Sequence, residues 1–503
     1  MYCRIVSAAI VGIEAERVTV EADASSGMPL FEVVGHITSQ VKEAQARVRT
    51  ALRSAGVAMP PLRITVNLSP GDIRKEGTRF DVPIAAAVLG AIGKIGAEQL
   101  SGVMILGELH LDGTVGKVPG VLPSVLCARA EGMRACIVPA ENIKEAEIVR
   151  GIPIVGIRRM EDLLSFCETG SVPDLPEERC AAVPPVKEPD RPDFSDIRGQ
   201  PVMKRCALIA AAGFHNFLIT GPPGAGKSMA ARRMPGILPP LTEDERLEIS
   251  RIYSIAGLLP GEEPLMAQRP FRAPHHSLTA AALCGGGKYP GPGEITLAHR
   301  GVLFLDELPE MKRGVLEMLR QPLEDRFIRI SRVCGSCRFP AFFLLVAAMN
   351  PCPCGYYPDR SRCSCTDEEI RAYKNRISHP FMDRIDLQCA IRAVSFEELT
   401  GNQKDPVTSE GMRRKVEEAA AVQKERFAGT GIRFNSEIRA ADIDRYCPVS
   451  AGAGRLLRSA FNRMGMSARG CHHVLRVART IADLDGSDVI REEHISEAIC
   501  CRV

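Results

Sequence analysis

The run Gly221-Pro222-Pro223-Gly224-Ala225-Gly226-Lys227-Ser228 reads G-x-x-x-x-G-K-S. Residues of these types at this spacing do phosphate chemistry. Glycines let a short loop fold around an anion, and amide N–H groups at a helix N-terminus converge on it. Lys227 is placed to reach the β- and γ-phosphates of ATP, and Ser228 to hold Mg²⁺. The alternative is a Gly/Pro-rich turn before a helix, and it loses ground because a second half follows. Asp306 and Glu307 close the apolar run Val302-Leu303-Phe304-Leu305. Asp306 then suits the Mg²⁺ shell, and Glu307 can orient and polarise the attacking water. Asn350 ends a third apolar run that starts at Phe342. Two readings of it stand: a sensor that touches the γ-phosphate or the lytic water, and a cap on the turn before Pro351.

Cys352, Cys354, Cys363 and Cys365 form C-x-C-x₈-C-x-C. Four soft ligands this close suit a tetrahedral Zn²⁺. The other reading is a loop of reduced or redox-labile thiols. Cys334 and Cys337 make a separate C-x-x-C, a weaker metal or redox candidate.

The elements that must position these groups follow from patterning. Phe217-Leu218-Ile219 reads as a buried strand before the loop, and Ala230 to Met234 as the start of a helix after it. A strand with carboxylates at its carboxyl end is where ligands of open α/β sheets bind. Upstream, Val18 to Ala22 and Leu62 to Leu68 read as strands. Val41 to Leu52 has helical spacing, and Pro83 to Ile92 reads as an apolar helix with proline at its start. Residues 1–170 therefore form a first α/β domain. A proline-rich linker spans 171–194, an ATPase core 195–392 with a Cys-rich insert at 350–366, and a helical domain 393–503. Two insertions interrupt the core. Residues 269–295 look loop-like and too long for a plain connection. Phe327 to Phe339 alternates around Gly335 as a β-hairpin does, and would aim Arg326, Arg329, Arg332 and Arg338 into a pore.

The chain has 503 residues, 45% hydrophobic and 25% charged, as an ordinary multidomain protein does. A formal net charge of +3 does not by itself argue for nucleic acid. There is no Trp, so base stacking on aromatic platforms is not expected. No signal-peptide core or membrane span is evident, and the cytoplasm is the expected compartment. There the 18 cysteines are thiols or metal ligands.

Together these motifs resemble the AAA+ superfamily, in the branch of magnesium chelatase, MCM helicases and bacterial enhancer-binding activators. Arg384, in Phe381-Met382-Asp383-Arg384-Ile385-Asp386, looks like that branch's arginine finger. Arg469, in Ser467-Ala468-Arg469, is similar to the second sensor of the helical lid, with Arg476 as the fallback. For either arginine a surface salt bridge is the other reading. Arg269–Ser277, Pro292–His299, Asn350–Tyr356 and Ser467–Asp483 narrow the resemblance to the ComM/YifB group of magnesium-chelatase-like proteins, over nearly the whole chain.

That resemblance implies an AAA+ P-loop NTPase core with a C-terminal helical lid, preceded by a Lon-protease-like (ribosomal S5-type) α/β domain. It implies a homohexameric ring, and an ATP-driven helicase that moves single-stranded or branched DNA in recombination and natural transformation, alongside recombination proteins. The first domain departs from an active Lon site: Arg79 stands where the nucleophilic serine belongs and Leu122 where the lysine belongs. A scaffold without peptidase activity is expected. Two other readings remain: a protein-remodelling ATPase acting on a partner enzyme, as in magnesium chelatase, and a nucleotide-binding scaffold without turnover.

Overall fold

The computed structural model describes residues 1–96, 98–169, 192–261, 264–286, 291–332, 335–394 and 407–502. Most of the proline-rich linker, and Cys334, lie outside them.

The N-terminal part is a seven-stranded mixed sheet. Its strands are β1 (Tyr2–Val11), β2 (Glu14–Ser25), β3 (Leu30–Gly35), β4 (Arg63–Ser69), β5 (Val103–Ile105), β6 (Ala135–Pro139) and β7 (Ile154–Ile157), in the order β3-β4-β2-β1-β5-β6-β7. Helices α1 (Ala44–Ser54) and α2 (Asp81–Ala91) pack into one core, and α3 (Val121–Ala130) packs into another. All of α2 is buried, as an all-round apolar helix must be. It begins at Asp81, two residues before the expected proline start. Pro83 still falls in the first turn, where backbone N–H groups have no intrahelical acceptor. The helical stretch expected from Val41 to Leu52 is broken into a single turn, Ser39–Lys42, and α1.

The next sheet is five-stranded and wholly parallel. It comprises β8 (Phe217–Thr220), β9 (Phe271–Arg272), β10 (Val302–Leu305), β11 (Leu344–Met349) and β12 (Leu387–Ala390), in the order β9-β10-β11-β8-β12. Apolar residues fill β8, β10 and β11 because both faces are covered. Helices α4 (Pro201–Gly213), α5 (Lys227–Ile237) and α6 (Glu243–Ile255) belong to this part. The C-terminal part is helical: α7 (Ser409–Arg426), α8 (Ala451–Met464), α9 (Ala468–Leu484) and α10 (Glu492–Cys500).

The segment 269–295 is more structured than expected. It holds a helix, Ala280–Cys284, and a tight pairing of Gly285-Gly286 with Gly291-Pro292. Glycine permits that pairing, since a Cβ on Gly293 would sit 2.0 Å from the Gly285 nitrogen. The expected hairpin is present, with Phe327–Arg332 paired to Gly335–Pro340. Arg329 and Arg338 are exposed on it. Arg326 is a correction: it turns the chain at φ 61° and lays its guanidinium over the Phe342 ring, 4.9 Å from the centroid. It is part of the packing beneath the hairpin and does not face a pore.

The two α/β parts are joined through α6. Ser254 donates to Glu145 and accepts from the Gly120 N–H at 2.9 Å. Arg251, one turn earlier, pairs with Glu14.

Candidate functional site

The parallel register aligns the carboxyl ends of β8, β10 and β11, pairing Thr220 with Met349 and Leu305 with Ala347. The residues that follow each strand therefore meet. The glycine-rich loop leaves β8 and enters α5, with Gly224 (φ 76°) and Gly226 (φ 92°) left-handed. Gly221 is required for another reason. A Cβ there would lie 2.3 Å from Ile391 Cγ1.

Lys227 starts α5 and turns back over the loop. Its ammonium donates to Gly221 O (2.6 Å), Pro222 O (3.0 Å) and Asn350 Oδ1 (2.9 Å). Burial lowers its pKa, and the Asp306 and Glu307 carboxylates oppose that shift. Ser228 Oγ donates to Asp306 Oδ2 at 2.7 Å, and the Glu307 N–H donates to Asp306 Oδ1 at 2.9 Å. Gly221 to Ser228, Asp306, Glu307 and Asn350 are thus one site, as their types suggested. The donor set fits a nucleotide triphosphate with a divalent ion: amides and an ammonium on one side, a hydroxyl and a carboxylate in contact on the other.

The two arginines do not join it. Arg384 Nη2 pairs with Glu324 Oε1 at 2.8 Å, and Arg469 pairs with the same oxygen. Arg384 O accepts from Asn216 Nδ2 at 2.9 Å, which places this arginine where β8 begins and not where it ends. Arg476, the fallback, sits near Asp386. Burial lowers its pKa while Asp386 opposes the shift, and its Nε is buried with no hydrogen-bond partner.

Cys352, Cys354, Cys363 and Cys365 converge, with all four Sγ atoms within 4.8 Å of one another. Cys352 Sγ lies 3.3 Å from Cys354 Sγ and 3.7 Å from Cys363 Sγ. Sulfurs about 2.3 Å from a tetrahedral Zn²⁺ would stand about 3.8 Å apart, so the set fits that ion. The backbone N–H of Tyr356 is the largest cause bringing the Cys354 thiol down to about 6.

Sequence reasoning missed two contacts. Gly355 (φ 86°) packs the cysteine loop onto the phosphate loop: a Cβ there would lie 2.6 Å from Pro223 Cδ. His276 Nδ1 lies 3.0 Å from Glu307 Oε2. The His275-His276 pair inside the first insertion was the available signal.

In the N-terminal part, Arg79 is buried, donating to Pro119 O and to Ser124 Oγ at 3.4 Å. Leu122 is fully buried, its N–H bonded to Glu145 Oε1 at 2.9 Å.

This sheet order, phosphate loop and carboxylate pair define a P-loop ATPase core of the AAA+ type, followed by a helical region. Residues 193–399 match the magnesium chelatase, subunit ChlI family, residues 20–142 the subunit ChlI of Mg-chelatase family, and residues 406–502 its C-terminal family. Competence protein ComM of Haemophilus influenzae is 41% identical, covering 98% of this chain and 96% of its own. YifB of Escherichia coli is 39% identical, covering 98% and 96%. Lon protease 2 of Bacillus subtilis is 30% identical over 127 residues, 25% of this chain and 22% of its own. The chain belongs to the ComM/YifB family of magnesium-chelatase-like AAA+ ATPases. Among the described residues no helix is long and apolar enough to cross a membrane.

Proposed function

We propose that the chain is an ATP-hydrolysing ring motor, a homohexamer of the cytoplasm, that drives branch migration of DNA in recombination and natural transformation. Lys227 and the loop amides hold the phosphates of ATP. Ser228 and Asp306 hold Mg²⁺, which supplies charge neutralisation on the transferring phosphoryl group. Glu307 orients the water, and Asn350, already on Lys227, senses the γ-phosphate. Arg384 and Arg469 serve a neighbour's nucleotide. Cys352, Cys354, Cys363 and Cys365 hold a structural Zn²⁺ that stiffens the loop against Pro223. The N-terminal domain, residues 1–170, is a scaffold without peptidase activity.

The observation that carries this reading is the split site, with Lys227, Asp306 and Glu307 at one end of the sheet and Arg384 at the other. Such a core turns over only between subunits. The exposed Arg329 and Arg338 on the hairpin support a DNA backbone substrate, gripped without sequence preference, and the name of the Haemophilus relative supports transformation. The test is strand movement on a synthetic three- or four-strand junction, with wild type, Lys227→Ala and Glu307→Gln. ATP-dependent movement by wild type alone is expected. ATPase activity without movement would overturn the DNA reading. It would favour the second one, remodelling of a partner enzyme, which rests on the chelatase family match.

A further inference from the structure

The hairpin Phe327–Arg332 with Gly335–Pro340 is a two-stranded sheet of its own. Such a ribbon is marginal unless one face is packed. Ile330 pairs with Cys337 and Ile328 with Phe339, so these four share the inner face. Arg329 and Arg338 pair on the outer face, both exposed. Ile328, Ile330 and Phe339 are buried, whereas Cys337, closer to the tip than Phe339, is half-buried. The turn between β1 and β2 of the N-terminal part meets it there. The Cβ position of Gly12 lies 3.8 Å from Cys337 Cβ and 3.6 Å from Arg338 O. Burial pushes the Cys337 thiol up, and the Gly12 N–H opposes that shift. Ile13 packs against the cluster that holds Ile328, Ile330 and Phe339, and also against Ile252 and Tyr253 of α6 and their neighbours. The turn is itself held. Ile13 O accepts from Arg251 Nη2 at 3.4 Å, and Arg251 pairs with Glu14.

We propose that this turn braces the hairpin, which makes the N-terminal domain a working part of the motor. Gly12 and Ile13 hold the inner face of the ribbon stiff while Arg329 and Arg338 bear load on the outer face. Ile13 is a positioning residue that acts through the hairpin. Without it the ribbon bends at Cys337, and ATP turns over without moving the strand. This rests on the reading of the hairpin as the grip on DNA.

The full chain is compared as wild type, Ile13→Ser, Ile13→Val and Cys337→Asp. Amide exchange of the hairpin is read by mass spectrometry, beside ATPase and strand movement on a synthetic junction. Ile13→Ser is expected to speed hairpin exchange roughly five-fold, the factor for losing a half-buried isoleucine, and to leave exchange in the phosphate loop unchanged. Strand movement falls by a similar factor while ATPase is retained. Ile13→Val keeps an apolar plug and stays near wild type in all three readouts. Cys337→Asp puts a carboxylate under the ribbon from the motor's side and should uncouple in the same way, which carries the test if Ile13→Ser does not assemble. Hairpin exchange equal to wild type in these two variants overturns the brace, and so does an ATPase that falls in step with strand movement. If wild type moves no strand, the DNA reading fails by itself, and hairpin exchange still decides the brace.

Discussion

Arg384 pairs with Glu324 at 2.8 Å at the edge of the core sheet where its parallel strands begin. The phosphate loop lies where they end. Four residues of β8 separate the two edges, about 13 Å of extended chain. A side chain that starts at one edge and is tied to Glu324 does not serve its own loop. Lys227→Ala and Arg384→Ala should therefore each be inactive alone, with Arg384→Ala losing about 10³-fold in kcat. Mixed in equal amounts, they should recover measurable ATPase, because some interfaces then pair an intact loop with an intact arginine. A mixture no more active than its components would show that Arg384 does not act across an interface.

The cysteine loop should matter to the nucleotide as well as to stability. Elemental analysis of protein purified without chelator should return about one zinc per chain, the stoichiometry of a single four-cysteine site. Cys363→Ser should lose the metal and lower the first thermal transition, by roughly 2–4 °C for each kcal/mol of site energy lost. Protein with no stoichiometric metal would remove zinc from the proposal.

Gly355 tests the same contact from the other side. Alanine there needs a left-handed backbone and drives a methyl into Pro223. Gly355→Ala should weaken ATP binding, seen as a raised KM, while Gly429→Ala costs only the backbone strain, because nothing lies within 4 Å of its Cβ position. Equal KM values for the two variants would mean the Pro223 contact does not shape the loop.

Acid should loosen the joint between core and lid. His215 is fully buried and bonded through Nε2 to Thr480 Oγ1 of α9 at 2.7 Å. Burial drives its pKa down to about 4, against the attraction of Asp386. An unfolded histidine titrates near about 6.5, so between these values the unfolded chain binds the extra proton. This contribution is complete above about pH 6.5 and is lost as pH falls towards 4, by up to about 1.4 kcal/mol per pH unit. Burial alone would raise the Asp386 carboxyl, but His473 and His215 outweigh it and hold it well below its usual range, so its contribution is lost at still lower pH. Thermal melts from pH 7.5 to 5 should slope downward, and His215→Gln should flatten that slope.

The N-terminal domain should hydrolyse neither casein nor peptides. Restoring a serine at the position of Arg79 should not create a peptidase. Arg79 is buried and donates to Pro119 O and Ser124 Oγ, and leaving such buried acceptors unmet costs about 1–3 kcal/mol. Arg79→Ser should unfold earlier in urea than wild type. Casein cleavage by wild type that a change at Ser124 abolishes would refute the scaffold reading.

How much of this was legible beforehand follows from where the information sits. The phosphate loop, Asp306-Glu307 and Asn350 were readable because each is fixed by a strand and the residue just after it, and parallel register then brings the strand ends together. The convergence of the four cysteines was readable because residues paired closely in sequence stay close in space. Arg326 was misplaced because the spacing does not reveal a positive φ or the Phe342 ring that receives the side chain. His276 on Glu307, and Gly355 on Pro223, join segments distant in sequence. Nothing in either segment names the other, and only packing sets them side by side.

The bond between Ser254 and the N-terminal domain has one more consequence. The Gly120 N–H is spent on the last turn of α6, Glu145 Oε1 is shared between Ser254 Oγ and the Leu122 N–H, and Leu247 of that helix packs against the cluster that includes Val121 and Leu122. Cutting the chain after residue 170 would leave the ATPase core with an exposed apolar face and unmet polar groups, prone to self-association. The two parts are thereby coupled in stability. Exposing either face leaves polar groups of the other unmet, so loss of the N-terminal part carries a cost to the ATPase core.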